Sequence, residues 1–138
     1  IYESILQEGH RVGNHTYDHL NGWKTETSHY IDNIKDATNL IESNLFRPPY
    51  GRITQQQIRR LTHSTQLPNQ IIMWDVLSAD FDEQLQGEDC ARNVIKHTQP
   101  GSIIVFHDSQ KAWDRMSLAL PMVLDHFSKQ GFRFECIP

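Results

Sequence analysis

Two cysteines, Cys90 and Cys136, are all that the 138 residues contain. That is too few for a disulfide scaffold or a four-thiolate zinc site, so both are expected to be free thiols. No apolar run comes near the ~20 residues that a membrane-crossing helix needs, and no membrane insertion is expected. No secretory leader pattern opens the chain. It begins at Ile1, without Met and already inside a helical pattern, and is expected to have been cut from something longer. An excess of positive charge is also missing: 13 basic and 17 acidic residues are interspersed, for a net charge of −4. That excludes a basic stripe for nucleic acid and a cationic helix for a membrane surface, and points to a neutral or weakly charged partner. There is no internal repeat, linker or low-complexity tract. The length suits one domain, yet is short for a complete barrel.

What is present alternates between two periods. Ile1, Ile5 and Leu6 predict a short helix stopped by Gly9, followed by a strand over His10 to Asn14. Thr25 and Thr27 are candidate N-caps of a helix whose apolar stripe runs through Ile31, Ile34, Thr38, Ile41 and Leu45. Leu45-Phe46 reads as a strand ended by Arg47-Pro48-Pro49-Tyr50-Gly51, where two prolines force a loop. Thr54 caps a polar helix to about Thr62. Gln70 to Leu77 reads as a strand buried on both faces, with Trp74 in the core. Glu88 to Thr98 is a helix, Ser102 to Phe106 a buried strand, Met116 to Gln130 a helix with Pro121 in its first turn or at a kink, and Phe132 to Ile137 a last strand. Strands alternating with helices imply right-handed crossovers and a parallel α/β sheet, with functional residues at the C-terminal strand ends. Trp23 and Trp113 fall in loops on that rim, where either could stack on a sugar face.

Within Gly13-Asn14-His15-Thr16-Tyr17-Asp18-His19, two imidazoles stand four residues apart outside any helix. Neutral imidazole is a good metal ligand, and a catalytic zinc takes three protein ligands and keeps one position open. The helical zinc-protease pattern is excluded, since Thr16 stands where that pattern has Glu. Two readings remain open from the spacing alone: two ligands of one metal, or two surface histidines.

Four motifs together resemble the NodB-type polysaccharide deacetylases, carbohydrate esterase family 4. They are His15-Thr16-Tyr17-Asp18-His19, Arg47-Pro48-Pro49-Tyr50-Gly51, Leu77-Ser78-Ala79-Asp80-Phe81 and Ile104-Val105-Phe106-His107. The first two agree at the family's defining positions, and the last two are looser. The resemblance implies a parallel-stranded, distorted (β/α) barrel truncated at its N-terminus, with residues 1–138 forming one partial deacetylase domain. It implies an enzyme that hydrolyses the acetamide of an N-acetylated carbohydrate, chitin-like or peptidoglycan-like, and releases acetate. His15 and His19 match its ligands of a divalent metal, with zinc first and cobalt, nickel or manganese as alternatives. Tyr50 matches the residue whose backbone N–H faces the oxyanion, and His107 the general acid. Asp80 matches the carboxylate that pairs with that acid, and Arg47 the residue that orients the base. Phe81 and Ile104 match the pocket for the acetyl methyl.

One family motif is missing. Thr-Phe-Asp-Asp-Gly supplies the base and the third ligand, and no Asp-Asp pair occurs in the 138 residues. The rival readings are therefore a catalytically incompetent carbohydrate-binding domain of the same fold, and a related metal hydrolase acting on small amides.

Overall fold

Helix α3 (Gln55–Thr62) shows how local sequence sets this fold. Its N-cap is Thr54, whose Oγ1 accepts from the Gln57 N–H (3.3 Å) while Gln57 Oε1 accepts from the Thr54 N–H (2.9 Å). This is the reciprocal Thr-x-x-Gln cap, satisfying donors that a helix start leaves unpaired. The computed structural model describes residues 1–137 and divides them into two compact units. The first is Ile1–Met73 with the C-terminal end, and the second is Trp74–Glu135.

The first unit contains α1 (Tyr2–Gln7), α2 (Thr27–Thr38), β1 (Leu45–Phe46), α3 and β2 (Gln70–Ile71). Strands β1 and β2 pair in parallel, with Leu45 opposite Gln70 and Phe46 opposite Ile71. The strand expected over 10–14 is reduced to one parallel bridge between Asn14 and Phe46, since β1 is only two residues long. The N-cap of α2 is Glu26, not Thr25 or Thr27, and its carboxylate accepts from the Ser28 N–H (2.6 Å). The helix ends at Thr38, short of the expected stripe, where the Thr38 hydroxyl donates to the Lys35 carbonyl (2.6 Å) and competes with the helix ladder. Tyr30 and Ile34 of α2 pack with Phe46 and Leu61 into the core of this unit.

The second unit contains β3 (Val76–Leu77), α4 (Gly87–His97), β4 (Ile104–Val105) and α5 (Trp113–Lys129). Strands β3 and β4 pair in parallel, Val76 opposite Ile104 and Leu77 opposite Val105. The continuous strand expected over 70–77 is thus two short ones. Ile72 still donates to Phe46 (2.8 Å), whereas Val76 donates to Ile103 (3.1 Å), so the run changes partner midway. Trp74 is only half-buried. Helix α5 starts at Trp113, which is therefore helical and not in a loop, and it holds Pro121 in its interior. Pro121 and Ser117, whose carbonyl loses its donor, are both exposed, so water can take that acceptor. Val94, Ala119, Val123 and Phe127 dominate the core between α4 and α5. The expected last strand over 132–137 is irregular, and no ladder partner occurs for it among the described residues. No helix among the described residues is long and apolar enough to cross a membrane. Parallel pairing and alternation with helices agree with the α/β class read from sequence.

Candidate active site

The candidate residues fall in both units, and the histidine loop belongs to the first. Asn14, 1% exposed, anchors it: the N–H bonds Leu45 (2.8 Å), the carbonyl accepts from Arg47 (3.0 Å), and Nδ2 donates to Ile34 (2.9 Å). Asn14 Oδ1 accepts from the Thr16 N–H (3.0 Å), and Thr16 Oγ1 accepts from Leu20 (3.0 Å). From α2, the buried Asn33 accepts the N–H groups of Tyr17 (2.9 Å) and Asp18 (3.0 Å) on Oδ1 and donates Nδ2 to the Asp18 carboxylate (2.6 Å). These bonds hold Thr16 and His19 at φ of 61° and 56°, the left-handed region that a β-branched residue such as Thr16 rarely enters.

So held, the His15 and His19 rings lie 5.0 Å apart, edge to face. His15 Nδ1 sits 2.6 Å from the Arg47 carbonyl, so Nδ1 carries the hydrogen and Nε2 keeps the lone pair a metal requires. Two imidazoles in this arrangement fit two positions of a three-ligand site. No group of three or more His, Cys, Asp or Glu able to hold a metal occurs among the described residues, so they do not complete the set.

The Tyr50 ring lies against His19 at 4.8 Å. Its backbone is left-handed, with φ of 60°. The turn bonds the N–H groups of Gly51 to Pro48 (3.0 Å) and Arg52 to Pro49 (3.1 Å), and leaves the Tyr50 N–H without an acceptor among the described residues. Arg47 donates Nε to Ile72 (3.2 Å) and Nη2 to Met73 (3.4 Å). Burial pushes the Arg47 guanidinium below its ordinary pKa, and no carboxylate pairs with it among the described residues.

The second unit holds Asp80 and His107. Asp80 is fully buried; Oδ2 accepts the His107 N–H (2.7 Å) and Oδ1 accepts from His107 Nδ1 (2.7 Å). One carboxylate oxygen thus meets the imidazole and the other the backbone of the same residue, and Nε2 is the ring nitrogen left outside this pairing. Ala79, with φ of 64°, turns the chain into Asp80. Arg115 of α5 clamps the Asp80 carbonyl through Nε (2.7 Å) and also bonds Lys111. Phe81 stands edge-on to His107 at 5.5 Å and is 43% exposed. Ile104 packs against the α4–α5 core. Burial, helped by the charge of Asp80, pushes the Cys90 thiol up, as expected of an inert core cysteine.

Asn33 and Arg115 have no place among the residues proposed from sequence. A signal for Asn33 exists: it lies one position before Ile34 on the inward stripe of α2, beside Tyr30 and Ala37, where an amide must find partners. Arg115 has none, because its acceptor is a backbone carbonyl distant in sequence.

The family model described as polysaccharide deacetylase matches residues 1–69. A peptidoglycan-N-acetylglucosamine deacetylase of Bacillus cereus is 28% identical over 145 residues, covering 100% of this chain and 51% of that protein. Chitin deacetylase 2 of Saccharomyces cerevisiae is 30% identical over 121 residues, covering 79% of this chain and 38% of that one. The crystal structure of the Bc1960 peptidoglycan N-acetylglucosamine deacetylase superimposes with a TM-score of 0.87 at 28% identity, covering 99% of this chain and 65% of that chain. Against the first of these relatives the chain spans about half the length.

Proposed function

The chain belongs to the polysaccharide deacetylase family, and on that footing we propose that the protein hydrolyses the acetamide of an N-acetylated sugar in a chitin- or peptidoglycan-like glycan, releasing acetate and a free amine. The observation that carries this reading lies in the first unit: His15 and His19 share one loop, and beside His19 stands Tyr50 with an N–H that no described residue accepts. The same reading assigns residues 1–138 to one domain of the distorted (β/α) barrel type.

His15 and His19 would hold a divalent metal, zinc in first place, and the ion would supply Lewis-acid polarisation of the acetamide carbonyl when bound. The Tyr50 N–H would donate to the oxygen of that carbonyl as it gains negative charge. Arg47 is suited to orient the carboxylate that acts as base, a group not found among the described residues. As the C–N bond breaks, His107 Nε2 would deliver a proton to the departing amine, with Asp80 holding the ring in position. Phe81 and Ile104 are assigned to the pocket for the acetyl methyl.

Acetate release from N-acetylglucosamine oligomers by the full-length protein, with zinc or cobalt added, tests this. Metal-dependent release is expected, falling about 100- to 1000-fold in His107→Ala. No release with either metal, or release that His107→Ala leaves untouched, overturns it.

A further inference from the structure

We propose that Trp23 and Arg52 form a second carbohydrate subsite, which favours glycans carrying a carboxylate on a sugar near the one deacetylated; the proposal rests on the deacetylase reading above. Trp23 is 64% exposed, yet its ring is fixed in place. Its Nε1–H donates to the Ile53 carbonyl (3.2 Å), its backbone N–H to Asn21 Oδ1 (3.1 Å), and the Arg52 guanidinium lies 5.1 Å from the ring centroid.

The ground beneath the ring is built to hold that pose. Gly22 donates to the Arg52 carbonyl (3.1 Å), so close that a side chain on Gly22 has no room. Gln57, fully buried, donates Nε2 to the carbonyls of Gly22 (2.9 Å) and Thr25 (3.3 Å) while accepting from Thr54 (2.9 Å). Loop and turn are thereby cross-linked with the polar groups of the amide satisfied, and a ligand stacking on the indole meets a ring already ordered.

An exposed cation–π pair stabilises a fold only slightly, and burying the indole would have removed more apolar surface from water. With Arg52 on one face, so exposed a ring offers its other face to solvent. A flat amphipathic aromatic of this kind suits the C–H face of a pyranose. The guanidinium of Arg52 makes no hydrogen bond or ion pair among the described residues, so its donors remain for a planar acceptor, and carboxylate fits the fork. Lys24, adjacent and exposed, adds a second cation on a chain whose net charge is −4, which makes this spot selectively attractive to an anionic group.

Position ties the platform to the reaction. Trp23 follows His19 by four residues, and Arg52 follows Tyr50 by two. Extended chain of that length reaches at most about 14 Å, so a sugar on the indole belongs to the same glycan as the sugar at the histidines.

Titration calorimetry on the full-length protein tests this with two ligands: a neutral N-acetylglucosamine tetramer, and a tetramer in which alternate sugars are N-acetylmuramic acid. Wild type is expected to bind the carboxylate ligand about fivefold tighter, a preference that shrinks at high salt. Arg52→Gln should abolish the preference and Arg52→Lys keep part of it. Trp23→Ala should weaken both ligands about tenfold, and Trp23→Phe much less. Equal wild-type affinity for the two tetramers, or wild-type affinity in Trp23→Ala, overturns the subsite. If acetate release persists while these variants bind as wild type, the subsite alone has failed; if acetate is released from no N-acetylated sugar, the deacetylase reading has failed.

Discussion

Replacing Asn33 by alanine should loosen the histidine loop and weaken whatever the loop holds. Three hydrogen bonds disappear: two to the N–H groups of Tyr17 and Asp18 at 2.9 and 3.0 Å, and one to the Asp18 carboxylate at 2.6 Å. Neutral bonds contribute about 1 kcal/mol each, and one to a charged group about 1.5–3 kcal/mol. Tyr17 and Asp18 are exposed, so water replaces part of what is lost, and the expected loss of stability is about 2–3 kcal/mol. The effect on the histidines follows from geometry. Thr16 and His19 both sit at positive φ, and the backbone between them is pinned by Asn33. A relaxed loop lets His19 leave the neighbourhood of His15, and on the proposed metal-site reading zinc affinity should fall about 10- to 100-fold, the range typical when a group that orients a metal ligand is removed. Asn33→Asp should fare no better, since it sets a second carboxylate where Asp18 now meets an amide donor at 2.6 Å. Urea unfolding and zinc titration against a chromophoric chelator measure the two effects. Stability within 0.5 kcal/mol of wild type, estimated as about the size of an ordinary surface substitution, together with unchanged zinc affinity would refute the reasoning.

Gly22→Ala would place a Cβ 2.3 Å from the Arg52 carbonyl and 2.8 Å from Gln57 Oε1; a loss of about 2–3 kcal/mol in thermal unfolding is expected, and a neutral outcome would show that the loop and turn shift without cost. Stability should also fall in alkali. Burial raises the pKa of both Tyr30 and Cys90, so above their unfolded values of about 10 and 9 the folded chain binds more protons than the unfolded one. Their contribution is whole below those values and is lost as pH rises through the folded ones. The Tyr30 hydroxyl is buried without a partner among the described residues, so Tyr30→Phe should add about 1 kcal/mol at pH 7 and flatten part of the alkaline loss. Urea midpoints at neutral and alkaline pH report both, and a loss above about 1 kcal/mol in Tyr30→Phe would mean the hydroxyl is satisfied after all.

What the sequence discloses here is what short-range chemistry decides. The Thr54 cap, the loop at Pro48-Pro49 and the helical stretches around Val94 and Val123 follow from neighbours a few residues away. Strand extents do not, because a strand exists only where another chain segment bonds to it. The apolar run 70–77 gives no hint that its first half pairs with β1 and its second with β4. Parallel strands far apart in sequence can only be placed once the helices between them are packed. The motif residues were legible as types at spacings; Asn33 and Arg115, which act on backbone groups of distant loops, were hidden for the same reason as the strand ends.

Backbone strain supplies an argument that spacing alone cannot. Among the described residues four non-glycine residues have positive φ, namely Thr16, His19, Tyr50 and Ala79, and all four lie within the motif segments. Such conformations cost on the order of 1–3 kcal/mol each and persist only where surroundings impose them. Glycine would relieve the strain, but at three of these positions the side chain is in use: Thr16 accepts from Leu20, His19 faces His15, and Tyr50 packs on His19. At Tyr50 the same conformation leaves the N–H outside the turn's own hydrogen bonds. A loop selected for stability alone would pair that donor and put glycine at Thr16. Strain kept at these residues, and compensated by the hydrogen bonds of the buried Asn14 and Asn33, accords with the proposed role of a loop that presents two imidazoles and one N–H to a ligand.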